Sequence, residues 1–254
     1  MSQPSQVFGI HAVRTLLQRA PQRLRRLTVD ARRDDPRMRE LLQLALAAGI
    51  KAERADAKAL AARVGEVAHQ GVIADIEPLP PWQEADLIEA LTGASNPVVL
   101  VLDGVQDPHN LGACLRTADV CGALAVIVPK DRAAGMNATV RKVAAGAAET
   151  TPLVSVTNLA RCIKLLKEAG LWIAGADMQG EKLAHQADLA GALALVMGSE
   201  GEGMRELTRR HCDFLVRLPQ VGSVESLNVS VACGMLLYEA LRQRQCAPAK
   251  ARKS

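Results

Sequence analysis

The sequence predicts an α/β protein: a C-terminal, mainly parallel sheet flanked by helices, preceded by a small α/β domain. Three observations carry this. From residue 96 onward, short continuous apolar runs alternate with helical stretches, the pattern of strands buried on both faces under covering helices. Residues 1–76 mix helical and strand periodicity on a shorter scale. Between the two lies EPLPPWQEADLIEALTGASNP, where Pro78, Pro80 and Pro81 interrupt any regular element. The expected layout is therefore a domain over 1–76, a linker over 77–95, a second domain over 96–246, and a disordered tail, APAKARKS, over 247–254.

Taken in order, 7–18 has helical spacing, 24–29 suits a short strand, 38–48 suits a helix ended by Gly49, and 71–76 is a β-branched strand. A short helix precedes Pro97. The strand PVVLVLD then leads to a helix from about Leu111, and LAVIVP to another helix. LVSV, a helix over 159–169, LWIAGA, ALALVMG, FLVRLP and a last helix through about Arg244 complete the alternation.

With 254 residues and 49% hydrophobic content, the chain can bury a large core. The start MSQPSQVFGIHAVRTLL lacks the apolar core of a secretory signal, and no apolar run reaches the ~20 residues of a membrane span. A cytoplasmic protein is expected. Six cysteines, with no CxxC pair and no histidine at ligand spacing, read as reduced core thiols and imply no metal. Charge is uneven: residues 1–76 hold 13 Lys+Arg against 8 Asp+Glu, whereas 77–254 hold 18 against 19. Eleven of the 13 cations are arginines, whose planar fork suits phosphate, so the N-terminal part is the polyanion-facing candidate; a solvated helix face is the alternative. Five aromatic residues cannot build a base-stacking platform.

Ligands of open parallel sheets sit beyond the carboxyl ends of the strands, and three such loops are unusual. The first, DGVQDPHNLGACLR, offers Asn110 as a helix cap after Pro108, a bare first turn at Gly112, and Arg116 about 9 Å along the axis with a side chain able to lean back. Asn110 and Arg116 suit a phosphate or ribose, or else a plain cap and an ion pair with Asp119. The second, GSEGEGM, follows a buried strand with three glycines, suggesting close approach of a ligand to the backbone. Its GxxGxG order is not a dinucleotide or P-loop signature, and Glu200 with Glu202 would repel a pyrophosphate but not a cationic sulfonium. The third, QVGSVESLNVSVACG, lets Ser223 or Ser226 cap the last helix and places Asn228 in its first turn, where amide N–H groups point outward.

Taken together, FGIHAV, HQGV, DPHNLGACLRTAD, VRKVAAGAAE, MGSEGEGM and GSVESLNVSVACG resemble the SpoU or TrmH branch of the SPOUT RNA methyltransferases, over nearly the whole chain. The resemblance implies a C-terminal domain with a deep trefoil knot, a rarity among folds. It implies an S-adenosyl-L-methionine site formed by Gly198, Ser199, Gly201, Leu218, Pro219, Ser226, Leu227 and Asn228. It further implies an N-terminal domain that binds RNA, and a homodimer in which Arg116 can act across subunits. The particular strings point within the branch to transfer of a methyl group to a guanosine ribose 2'-hydroxyl of 23S ribosomal RNA, in the peptidyl-transferase loop. The RNA would be a precursor or assembly intermediate. Arg116 is then the favoured catalytic residue, with Asn110, Glu200, Ser226 and Asn228 shaping the site.

A ribose hydroxyl is a weak nucleophile and gains by losing its proton as it attacks. A guanidinium holds its proton tightly, so Arg116 reads either as a strongly perturbed base or as a donor stabilising the developing alkoxide. His109 reads as loop structure. Transfer RNA or another ribosomal nucleotide is the alternative substrate, and a non-catalytic RNA-binding or ribosome-assembly protein is the alternative class. A dinucleotide-dependent oxidoreductase is disfavoured by the missing GxGxxG.

Overall fold

The computed structural model describes residues 5–65, 69–77, 81–223 and 226–246; the tail 247–254 lies outside them. The chain divides into two compact units, residues 1–80 with 145–150, and residues 81–144 with 151–254.

The first unit runs β1 (Ser5–Phe8), α1 (Ile10–Arg19), β2 (Leu24–Asp30), α2 (Pro36–Ala47), β3 (Ala52–Ala55), α3 (Ala57–Val64) and β4 (Val72–Ile76). Its sheet has the order β1-β4-β2-β3, with β4 antiparallel to β1 and β2, and β3 parallel to β2. Val13, Leu16 and Leu17 of α1 and Met38 and Leu41 of α2 form its core with Leu27, Val29 and Val72. Val7 and Phe8, expected in the first helix, belong to a strand instead. Gly9, at φ +94°, turns the chain, and Val7 pairs with the distant Ala74. Here long-range pairing overrides a local helical pattern. The strings FGIHAV and HQGV meet at this turn, where Ile10 N donates to Gln70 Oε1 at 3.1 Å. β3 and α3 escaped the sequence reading because AERA has no apolar face and α3 buries only Leu60.

The second unit runs α4 (Glu84–Gly93), β5 (Val98–Asp103), α5 (Pro108–Val120), β6 (Ala125–Pro129), α6 (Ala138–Ala144), β7 (Leu153–Val156), α7 (Leu159–Glu168), β8 (Trp172–Ala176), β9 (Lys182–Leu183), β10 (Leu193–Gly198), α8 (Glu206–His211), β11 (Phe214–Arg217) and α9 (Val229–Cys246). The seven strands lie in the order β7-β6-β5-β10-β8-β11-β9, every neighbouring pair parallel. Such a sheet must be covered on both faces. On one face α4 and α7 bury Leu87, Leu91, Ile163 and Leu166 against Val99, Val101, Ile127 and Val196. Thus α4 occupies the stretch read as linker and contributes to this unit's core. On the other side of the sheet, α5 packs on α6 and α9, and α9 on β10.

After β5 the chain steps outward through β6 and β7, whereas β8, β11 and β9 lie beyond β10. Strand order therefore switches between β5 and β10, so loops leaving these two strands diverge and open a crevice. All six cysteines are free, and Cys114, Cys162 and Cys233 are buried, as expected of core thiols. Burial pushes Cys162 and Cys212 up to about 12, far from a thiolate at neutral pH.

Candidate functional site

β5 and β10 end side by side, with Asp103 opposite Gly198. From there two loops diverge. After β5, Asp107 caps α5 by accepting from His109 N at 3.0 Å, and Pro108 takes the first helical position. The expected cap, Asn110, is instead in the first turn, because the helix starts three residues earlier than its apolar pattern shows. This frees the Asn110 side chain for other use. It is 8% exposed, and its Oδ1 accepts from Asn228 Nδ2 at 3.0 Å. Gly112 is also bare for another reason than ligand approach: a Cβ there would lie 2.7 Å from Val143 Cβ and 3.0 Å from Val140 O of α6.

After β10, residues 199–203 form a tight turn closed by reciprocal backbone bonds between Ser199 and Gly203, at 3.0 and 3.1 Å. Gly198 is required by this turn. Its Cβ would sit 2.1 Å from Gly203 C and 2.2 Å from Met204 N. Gly201 and Gly203 adopt positive φ with open space around them, so their backbone is accessible as expected of a close-approach loop. Glu200, projecting from the turn, accepts from Asn228 Nδ2 at 2.5 Å and from Val229 N at 3.3 Å.

The third loop delivers Asn228 to the start of α9, where it is the cap rather than a first-turn residue. Its Oδ1 accepts from Ser230 N at 2.9 Å, Ser230 Oγ at 2.6 Å and Val231 N at 3.4 Å. The expectation that Ser223 or Ser226 caps this helix is corrected. The outward-pointing amides are corrected as well: Val229 N is taken by Glu200, and Ser230 N and Val231 N by Asn228, which leaves this helix end no open anion cradle. One amide, Asn228 Nδ2, thus joins three loops, donating at once to Asn110 and Glu200.

Beside this junction lies a cleft of about 260 Å³ lined by Gly104, Val105, Asn110, Ser199, Glu200 and Val229, with Asp107 and Glu202 also on its walls. Three carboxylates and no cation line it, a donor set suited to a cationic ligand. Arg116 is exposed two turns along α5, and no hydrogen bond or ion pair of its guanidinium is seen among the described residues. The two helices that pack together here also carry exposed large hydrophobic side chains: Val120 on α5 and Val231, Met235 and Tyr238 on α9. Leu218 is half-buried and Pro219 exposed just after β11, while Ser226 and Leu227 are exposed just before Asn228. None of these four joins the Asn110, Asn228 and Glu200 contacts among the described residues. Val224 and Glu225 lie outside those residues.

Sequence reading missed Asp103 and Arg205. Asp103 ends β5 with its carboxylate wholly enclosed, and it accepts from Arg205 N at 3.0 Å and Arg205 Nε at 2.6 Å. An acid closing an otherwise apolar run was the available signal, but its partner stands 102 residues away.

The SpoU rRNA Methylase family model matches residues 97–238, and a model for RNA 2'-O ribose methyltransferase substrate binding matches residues 6–82. The chain is 52% identical over 246 residues to the 23S rRNA (guanosine-2'-O-)-methyltransferase RlmB of Pseudomonas putida, covering 96% of this chain and 99% of that protein. It is 50% identical over 238 residues to the Escherichia coli protein of the same name, covering 94% and 98%. Among solved structures, the SpoU methyltransferase AviRb from Streptomyces viridochromogenes, in complex with the cofactor AdoMet, aligns with a TM-score of 0.72 at 25% identity, over 96% of this chain and 92% of that one. On this agreement of fold, loop geometry and sequence, the chain belongs to the SpoU rRNA methylase family.

Proposed function

We propose that the protein transfers a methyl group from S-adenosyl-L-methionine to the ribose 2'-hydroxyl of a guanosine in 23S ribosomal RNA. The observation that carries this reading is the convergence of Asn110, Glu200 and Asn228 at the mouths of β5 and β10, in a chain about half identical to full-length 23S rRNA guanosine methyltransferases. The open backbone at Gly201 and Gly203 fits the cofactor, with Gly198, Ser199, Gly201, Leu218, Pro219, Ser226, Leu227 and Asn228 as the residues that would hold it; of these Ser199 also lines the acidic cleft, whose carboxylates suit a positive charge nearby. When bound, it supplies a methyl group on a positively charged sulfur.

The chain's own contribution is position and charge. The Asn228 amide ties Glu200 of the 199–203 turn and Asn110 of α5 to the start of α9, so the three loops keep one geometry, and orientation alone can supply several kcal/mol of a barrier. Arg116, with no partner among the described residues, is available to the ribose oxygen as a donor that stabilises the developing alkoxide. The residues 6–82 unit, with its arginine excess, would hold the RNA, as precursor or assembly intermediate, in the cytoplasm. No helix among the described residues is long and apolar enough to cross a membrane.

The exposed stripe of Val231, Met235 and Tyr238 on α9, which packs on the helix carrying Arg116 and the exposed Val120, supports a homodimer built on α5 and α9. A threaded C-terminal segment belongs to the same reading, on the resemblance of the chain to its family. Mapping 2'-O-methyl groups on RNA from cells lacking the protein tests the substrate. Loss of one guanosine methylation in 23S RNA is expected, whereas loss confined to transfer RNA would overturn the assignment.

A further inference from the structure

The turn that presents Glu200 is closed on itself by the Ser199 and Gly203 backbone bonds, but those bonds do not aim it at α9. Gly201 and Gly203 hold positive φ with nothing within 4 Å of a would-be Cβ, and Gly198 sits at its base. Three glycines in six residues offer few side chains to pack the closed turn against its surroundings, so a tie outside it must set its orientation. At one end, β10 is tied by its pairing with β5. At the other stands Arg205, which Asp103 grips twice: Oδ2 takes the backbone N–H at 3.0 Å, and Oδ1 takes Nε at 2.6 Å, with a further ion-pair contact to the guanidinium at 2.5 Å.

The asymmetry of this pair is informative. The Asp103 carboxylate is wholly enclosed, while the Arg205 side chain is 46% exposed. Enclosing a carboxylate is costly unless its lone pairs are used, and here they are used by a residue at the end of the glycine turn. Asp103 also lies directly opposite Gly198 in the sheet, so both ends of the turn are referred to the same point on β5.

We infer that Asp103 and Arg205 are positioning residues for the methyl-transfer site, clamping the 199–203 turn so that Glu200 meets Asn228 and Val229. The inference rests on the proposed function only in calling that site catalytic; the clamp itself is read without activity. Asp103 touches neither Asn228 nor Asn110 and acts through Glu200, which accepts from Asn228 Nδ2 at 2.5 Å and Val229 N at 3.3 Å.

The test is a double-mutant cycle of Asp103→Asn and Glu200→Ala in the full chain, read by amide hydrogen exchange at Val229 and by kcat and KM in methyl transfer to RNA. Asp103→Asn keeps the volume and one acceptor but removes the charge. It is expected to speed Val229 exchange at least tenfold and to lower kcat about tenfold. In the Glu200→Ala background the same change is expected to add less than twofold to either. A purely structural role would speed exchange and lower kcat by the same factors in both backgrounds, and that result, or unchanged Val229 exchange, overturns the inference. Should Asp103→Asn not fold, Arg205→Lys, at a half-exposed side chain, carries the same cycle with the same expectations. Faster Val229 exchange in a chain that methylates no RNA would keep the clamp and sink the proposed function.

Discussion

Replacing Gly198 by alanine isolates the packing of the 199–203 turn from every side-chain contact of the site. The added Cβ would stand 2.1 Å from Gly203 C, 2.2 Å from Met204 N and 2.5 Å from Gly203 O, all backbone atoms that no rotamer change can move aside. To reach the 3.4 Å at which ordinary contact begins, the turn must retreat by about 1.3 Å. Glu200 lies two residues on and retreats with it, out of reach of Asn228 Nδ2 at 2.5 Å. A misplacement of about 1 Å in a preorganised site costs on the order of 100-fold in rate. Overpacking of this kind costs about 1–3 kcal/mol in stability, and in a chain of this size each kcal/mol lowers Tm by about 2–4 °C. Gly198→Ala is therefore expected to fold, to melt a few degrees lower, and to transfer tritiated methyl groups to RNA about 100-fold more slowly. A variant with kcat within twofold of the parent and an unchanged Tm would refute the argument, since the turn would then have room that the backbone distances deny.

Arg116→Ala is expected to reduce methylation by at least about 100-fold while S-adenosylmethionine binding, followed by calorimetry, changes less than about threefold; parental turnover would remove Arg116 from the chemistry. Met235→Asp with Tyr238→Asp places two charges on the exposed stripe of α9 and is expected to convert a dimer into monomers in sedimentation, with no change in sedimentation arguing against that interface. Hydrogen bonds from Arg242, and then Gln243, hold the Glu239 carboxyl down to about 2 from 4.5. A depressed carboxyl stabilises the fold fully above its unfolded value and loses that contribution as pH falls through the folded one. The stability advantage of the parent over Glu239→Gln in urea melts should accordingly be constant above pH 5 and shrink as pH falls from about 4.5 toward about 2; an advantage that grows on acidification would contradict the pairing.

Much of the site could be read before any fold was known. Asn110, Glu200 and Asn228, found at strand mouths by their loops, do meet; GSEGEGM does form a tight turn, and the apolar runs do form a parallel sheet. What failed was local detail of a particular kind. Asn110 and Asn228 were both given first-turn or cap positions on propensity, and the two exchanged roles, because Asp107 and Pro108 start α5 early and α9 starts only at Val229. β3 and α3 were lost because neither carries an apolar face wide enough to register.

The sequence alone determined the alternation of strands and helices, the three unusual loops and their order, because these depend on residues within one or two turns of each other. It also carried the family, because the loop strings are specific in combination. Only the tertiary structure decided the partners: Asn228 with Asn110 across 118 residues, Glu200 with Asn228 across 28, and Arg205 with Asp103 across 102. Those pairings follow from the placement of β10 beside β5, a consequence of strand order that periodicity, capping and charge, all local quantities, do not encode.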